Sequence, residues 1–314
     1  ATMLYNLLSG ILRSLGDSRT PLMFLVFSSL LNVALDIVCV VTLQMGVAGA
    51  GWATLISQLI SGLLCLLYMD RKFPILHLKR ENLVWRGHCV RRLLIMGLPM
   101  GLQYSITAIG SVILQVAVNS LGSLSVAAVT TGGKVLNFLA CPFDALGSTM
   151  ATYGAQNVGA SRYDRLNKGI YSASLMGFGY SALALAVAWF FGRALTGLFI
   201  SGESSAQLVE LAQTYMVTNV IAYPLLTLVN VVRFMIQGMG FSMFAILAGV
   251  MEMVARSLAG VFLVPAMGFF GAALGSPLAW VAADIFLVPA YFRCRRVLMS
   301  QSHHLHVSAE EKKA

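Results

Sequence analysis

Residues 21–43 read PLMFLVFSSLLNVALDIVCVVTL, with Asp36 the one charge among mostly apolar side chains. A helix crossing a bilayer needs about 20 such residues. Inside the hydrocarbon layer no water satisfies the backbone, so a run of this kind is read as a spanning helix. Working outward, similar runs between charged or Gly/Pro breaks lie near 47–69, 92–121, 125–157, 168–192, 207–238, 243–265 and 269–297. That predicts eight spans, with residues 1–15 as the tail of an earlier helix. The fold class is therefore an all-α polytopic membrane protein.

Composition agrees. Of 314 residues 58% are hydrophobic and 11% charged, where soluble domains carry about 25% charged residues. The net charge of +9 raises nucleic acid as a partner, but the basic residues stand between apolar segments and form no continuous stripe. The lipid bilayer is the expected partner and nucleic acid is not. Cys39, Cys65, Cys89, Cys141 and Cys294 are odd in number and sit in apolar or basic segments, which argues for reduced packing residues. No signal peptide is recognisable, and Ala1 falls within an apolar run, which predicts further helix before it.

Alternating the connections across the bilayer gathers 17 of the 21 basic residues on one side: Arg13, Arg19, those of 70–92, Arg162, Arg165, Lys168 and those of the C-terminal stretch. Only Arg193 falls opposite, and Lys134, Arg233 and Arg256 lie within helices. The positive-inside rule then makes this side, which holds the C-terminal stretch, the cytoplasmic face of an inner (plasma) membrane protein. Losing or adding a span before residue 168 would scatter the basic connections over both faces.

The chain also repeats itself. Met45-Gly-Val-Ala-Gly-Ala50 resembles Met267-Gly-Phe-Phe-Gly-Ala272 at an offset of 222, and Leu15-Gly-Asp-Ser18 resembles Met239-Gly-Phe-Ser242 at 224. Parallel repeats in a helical membrane protein point to a transporter with its substrate site at the repeat interface near mid-membrane. On this reading three helices and part of a fourth of the first repeat are absent, and the basic segment with Pro74 joins two lobes.

Ser9-Gly-Ile-Leu-Arg-Ser-Leu-Gly-Asp-Ser-Arg-Thr-Pro21, followed by Asn32-Val-Ala-Leu-Asp36 and Gly46-Val-Ala-Gly-Ala50, resembles helices four to six of the multidrug and toxic compound extrusion (MATE) family. Met150-Ala-Thr-Tyr-Gly-Ala-Gln156-Asn157-Val-Gly159 resembles the end of its eighth helix. The resemblance implies two six-helix lobes, the first incomplete from the end of helix 4 onward. The domains would then be 1–69, the end of the N-terminal lobe; 70–91, a cytoplasmic connector; 92–298, the C-terminal lobe; and 299–314, a cytoplasmic tail. It also implies export of small amphiphilic cations in exchange for H⁺ or Na⁺, by a monomer with no cofactor beyond that ion.

An ionisable group at membrane depth costs about 2.5–3.5 kcal/mol on insertion scales and so needs a partner, a water cavity or a function. Asn32 and Asp36, four apart, share a helix face, and a carboxylate beside an amide binds a cation or proton. In the family an Asn and Asp at this spacing join a Thr and a further Asp. The resemblance extends that role to Asn32, Asp36 and Thr54, the fourth member lying outside the sequence.

Glu252 and Arg256 form an i,i+4 pair, either structural or tied to proton release or substrate binding. Trp280, one turn before Asp284, either lines a cation pocket or packs against lipid or protein. Lys134 and Asp144, ten residues and about 15 Å apart along one helix, need partners on other helices. Arg233, within two turns of its helix end, is expected to snorkel to the interface. Gly97/Gly101 and Gly271/Gly275 permit close helix approach, and Pro142 and Pro224 are expected bending points.

These seven membrane-depth charges, with Asn32, Thr54 and Trp280, make up the candidate coupling site, substrate cavity and charge network. An alternative within the superfamily is a flippase for a lipid-linked or anionic polar substrate, which the buried bases suit. Against an intramembrane enzyme stand the lack of an HExxH or GxSxG motif and the placement of every His in the connector or tail. His303, His304 and His306 read as part of a solvated tail, since no Cys or acidic ligand set accompanies them.

Overall fold

A computed structural model describes residues 2–76, 84–199 and 206–311. Among them the secondary structure is helical, with no strand. The chain divides into two compact units, Ala1–Arg86 and Gly87–Ala314. The middle of the predicted connector, 77–83, and the last residues of the tail lie outside the described residues, as do the side chains of His303, His304 and His306.

The first unit holds α1 (Thr2–Ser14), α2 (Arg19–Asp36) and α3 (Gly46–Lys72). A π-helical turn, Ile37–Thr42, prolongs α2. Both α1 and α2 pack on α3, around a core of Tyr5, Leu8, Leu12, Cys65 and Met69. Tyr5 Oη ties α1 to the start of α2 by donating to the Pro21 carbonyl at 2.8 Å.

The second unit begins with three long helices, α4 (Gly87–Asn119), α5 (Ser123–Gly159) and α6 (Asp164–Gly197). Then come α7 (Ala206–Ile221) and α8 (Tyr223–Gly238), α9 (Ser242–Leu258) with a π-helical turn at Ala259–Leu263, the short α10 (Val264–Met267), and α11 (Phe269–Glu311). α4 runs along α9, α5 along α8, and α11 packs on α8 and α9. The core is centred on Phe143, whose ring meets Tyr180 and Tyr223 edge-on at 5.3 and 5.1 Å.

Among the described residues, seven helical segments are long and apolar enough to cross a membrane, and the bent pair α7–α8 makes an eighth. This matches the eight spans read from sequence, with helix ends differing by a few residues. Two differences have clear causes. The run 207–238 is bent by 49° at Ala222. Pro224 follows immediately, in the first turn of α8, where its missing N–H breaks no intrahelical bond. Pro142, by contrast, sits inside an unbroken α5. The last helix also continues to Glu311, beyond the predicted span end near 297.

The sequence repeat has a counterpart in local structure. Gly46 and Gly268 both open a helix with positive φ, +57° and +60°, and Gly16 and Gly240 both close a turn at +90° and +93°. The π-helical turns begin at Ile37 and Ala259, again 222 apart. Residues with a Cβ rarely adopt these φ values, so the glycines mark the same chain reversal twice. The small-residue pairs differ in their use: a Cβ on Gly271 or Gly275 would collide with Leu263 or Leu114, whereas one on Gly97 or Gly101 would meet nothing within 4 Å. The first pair is therefore a close contact, and the second is not one among the described residues.

Candidate functional site

In the first unit, helical periodicity puts Asn32 and Asp36 on one face of α2, and α3 brings Thr54 to it. Asn32 Nδ2 donates to Thr54 Oγ1 at 3.4 Å, and Thr54 Oγ1 donates to the Ala50 carbonyl at 3.0 Å. Asp36 is half-buried, and its Oδ1 is buried with no hydrogen-bond partner among the described residues. The next residue starts the π-helical turn, in which the Leu43 N–H reaches the Val38 carbonyl at 2.9 Å. Widened turns of this kind are frequent at functional sites. The arrangement leaves carboxylate lone pairs uncommitted beside an amide and a hydroxyl, which suits a proton or a small cation.

The second unit contains a cavity of about 350 Å³. Five helices line it: α4 gives Gln103, Tyr104 and Thr107, α5 gives Asn137 and Asp144, α8 gives Asn230 and Arg233, α9 gives Glu252 and Arg256, and α11 gives Trp280. Glu252 is shared by two arginines. Arg233 Nη2 donates to Oε1 from α8, and Arg256 Nη1 lies 3.2 Å from Oε2 one turn further along α9. Arg256 also reaches the Thr107 carbonyl at 3.5 Å. Above the triad, Gln237 Nε2 donates to Gln103 Oε1 at 2.7 Å.

Arg233 is thus no snorkelling residue. It is 6% exposed, because α8 turns the face carrying Asn230, Arg233 and Gln237 toward α4 and α9 and offers the guanidinium a carboxylate there. Trp280 does not face lipid either; it is buried, with its ring 6.1 Å from that of Tyr223. Asp144 lines the cavity without an ion pair or hydrogen bond among the described residues. Asp284 is buried off the cavity wall, its two carboxylate oxygens without a hydrogen-bond partner among the described residues. Lys134 is exposed, with Nζ 6.0 Å from the Phe199 ring, and does not line the cavity.

Sequence reasoning left out Gln103, Tyr104, Thr107, Asn137 and Asn230. A signal existed for some: Asn230, Arg233 and Gln237 recur at three and four residues in an apolar helix, as do Gln103 and Thr107. Asn137 and Tyr104 carry no such mark.

Bent and unbroken spans packed around a polar, charge-bearing cavity define a multi-pass helical membrane protein. A family model described as MatE matches residues 99–264. The chain belongs to that family, as its sequence resemblance implied. It is 29% identical over 197 residues to the probable multidrug resistance protein YpnP of Bacillus subtilis (strain 168), covering 63% of this chain and 44% of that protein. Over 209 residues it is 26% identical to the probable multidrug resistance protein YoeA of the same organism, covering 64% and 45%. The chain therefore spans under half the length of these relatives. In fold it is similar to a MATE crystallised in complex with MaL6, at a TM-score of 0.87 and 20% identity, covering 95% of this chain and 67% of that one.

Proposed function

We propose that the protein exports small amphiphilic cations across the plasma membrane by alternating access, driven by H⁺ or Na⁺ entering through the Asn32–Asp36–Thr54 site. The observation that carries this reading is Asp36: a carboxylate within a spanning helix, with a buried oxygen that has no hydrogen-bond partner among the described residues. Binding a proton or cation there removes its negative charge, and a state-dependent affinity for that ion biases the conformational equilibrium.

Substrate binds in the second unit's cavity. Both arginines there are engaged by Glu252, whereas Asp144 is uncommitted and Trp280 and Tyr104 supply aromatic faces, a combination that favours a cation over an anion. The protein works as a monomer with its C-terminus cytoplasmic, the orientation that the distribution of basic residues favours.

The test is ethidium efflux from a pump-deficient bacterium expressing the protein, under separate proton and sodium gradients. Export that requires one gradient and is lost in Asp36→Asn supports the reading and names the ion. Full ion-driven export in Asp36→Asn overturns the assignment of Asp36. No export under either gradient directs attention to lipid-headgroup transport instead.

A further inference from the structure

The first unit carries a second feature, away from Asp36. Between α2 and α3 lies a groove of about 500 Å³ lined by Phe24, Leu64, Leu67, Tyr68, Arg71 and Lys72. The α3 residues fall at three- and four-residue spacing, so one helix face changes from apolar to basic along its length. Phe24 packs edge-on against Tyr68 with ring centroids 5.9 Å apart, closing the apolar floor.

The two basic residues are not equivalent. Lys72 is committed: Nζ donates to Tyr68 Oη, stands 4.9 Å over that ring and lies 3.4 Å from Asp17 Oδ2. Asp17 is in turn saturated, accepting from the Thr20 N–H at 3.1 Å, Thr20 Oγ1 at 2.9 Å and Tyr68 Oη at 3.0 Å. Arg71 is exposed and has no partner among the described residues. Asp70, beside it in sequence, does not line the groove. The groove therefore ends in a guanidinium beside which no acidic side chain stands among the described lining residues.

We propose that this groove is a binding site for an anionic glycerophospholipid. The phosphate is held by Arg71 with Lys72 beside it, and one acyl chain lies along Phe24, Leu64 and Leu67. The order of chemistry decides the occupant. Arg71 stands at the end of a spanning helix, at headgroup level, and the apolar floor extends from it into the bilayer. A zwitterionic lipid brings its own cation to Arg71, and a free phosphate leaves the floor unused.

Native mass spectrometry of the detergent-purified protein tests this with dioleoylphosphatidylglycerol, dioleoylphosphatidylcholine and inorganic phosphate as probes. The expected result is selective retention of phosphatidylglycerol. Arg71→Gln should lower that retention about tenfold, the loss of one charge-assisted hydrogen bond. Arg71→Lys should keep part of it, and Leu67→Trp, which fills the groove, should lower retention with the charge intact. Arg92→Gln, which removes an exposed basic residue elsewhere, serves as the control. Among the described residues Arg71 has no hydrogen-bond or ion-pair partner, so Arg71→Gln reads out binding rather than stability. Equal retention of the two lipids, unchanged selectivity in Arg71→Gln, or displacement of phosphatidylglycerol by phosphate would overturn the proposal.

Discussion

Glu252 is the residue on which most depends. Its side chain is 3% exposed and faces two arginines, and breaking such a group from one side leaves buried charge uncompensated. Glu252→Gln is expected to destabilise the protein by about 3–5 kcal/mol, measured by chemical denaturation in detergent. Replacing all three residues with apolar ones, Arg233→Met, Glu252→Leu and Arg256→Met, should cost less than the single change, since no orphan charge remains. A triple variant less stable than Glu252→Gln would sink that account. Half of this site was legible in the sequence. Glu252 and Arg256 declare themselves by i,i+4 spacing, whereas Arg233 lies on another helix. Seven residues separate it from the turn at Gly240 and twelve separate that turn from Glu252, an axial mismatch of about 7 Å that only helix tilt and a long side chain make up. Sequence spacing carries no trace of either.

Asp17, in the turn before α2, allows a pH prediction. Hydrogen bonds, first from the Thr20 N–H and then from Thr20 Oγ1 and Tyr68, with the charge of Lys72, bring its carboxyl down to about 2 from an ordinary 3.8. A carboxyl depressed on folding contributes stability that is complete above its unfolded value and fades as pH falls through the folded one. Acid unfolding of the wild type should therefore include a loss between about pH 4 and 2. Asp17→Asn should be less stable at neutral pH and flatter across that window, as thermal melts against pH would show.

At the scale of elements, the π-helical turns are the part the sequence hid. Ile37-Val-Cys-Val-Val-Thr42 and Ala259-Gly-Val-Phe-Leu263 are ordinary apolar segments whose composition fits an α-helix equally well. Their widening depends on the tight return at the glycines that follow. Gly271 shows the constraint, since a Cβ there would lie 2.3 Å from the Leu263 carbonyl oxygen at the end of the second such turn. Gly271→Ala should cost about 1–3 kcal/mol through overpacking against backbone that cannot move aside, read as a lower melting temperature in detergent. Gly101→Ala, with open space at the same atom, should leave it unchanged.

At the scale of the whole molecule, the span count and the membrane class followed from apolar length and from breaks at charge, Gly and Pro, which physics ties directly to bilayer thickness. The bend at Ala222 was legible only as the nearby Pro224, because whether a proline kinks a helix or starts a new one depends on packing around it. The pairing of Arg233 with Glu252 bears on how the protein is made. A helix entering the bilayer with a lone arginine is opposed by about 2.5–3.5 kcal/mol on translocon scales and by roughly 10 kcal/mol or more in simulation. That opposition eases once the acid on the next helix arrives, 19 residues later in the chain. α8 and α9 are thus best delivered from the translocon as one hairpin, with Gly240 at its tip.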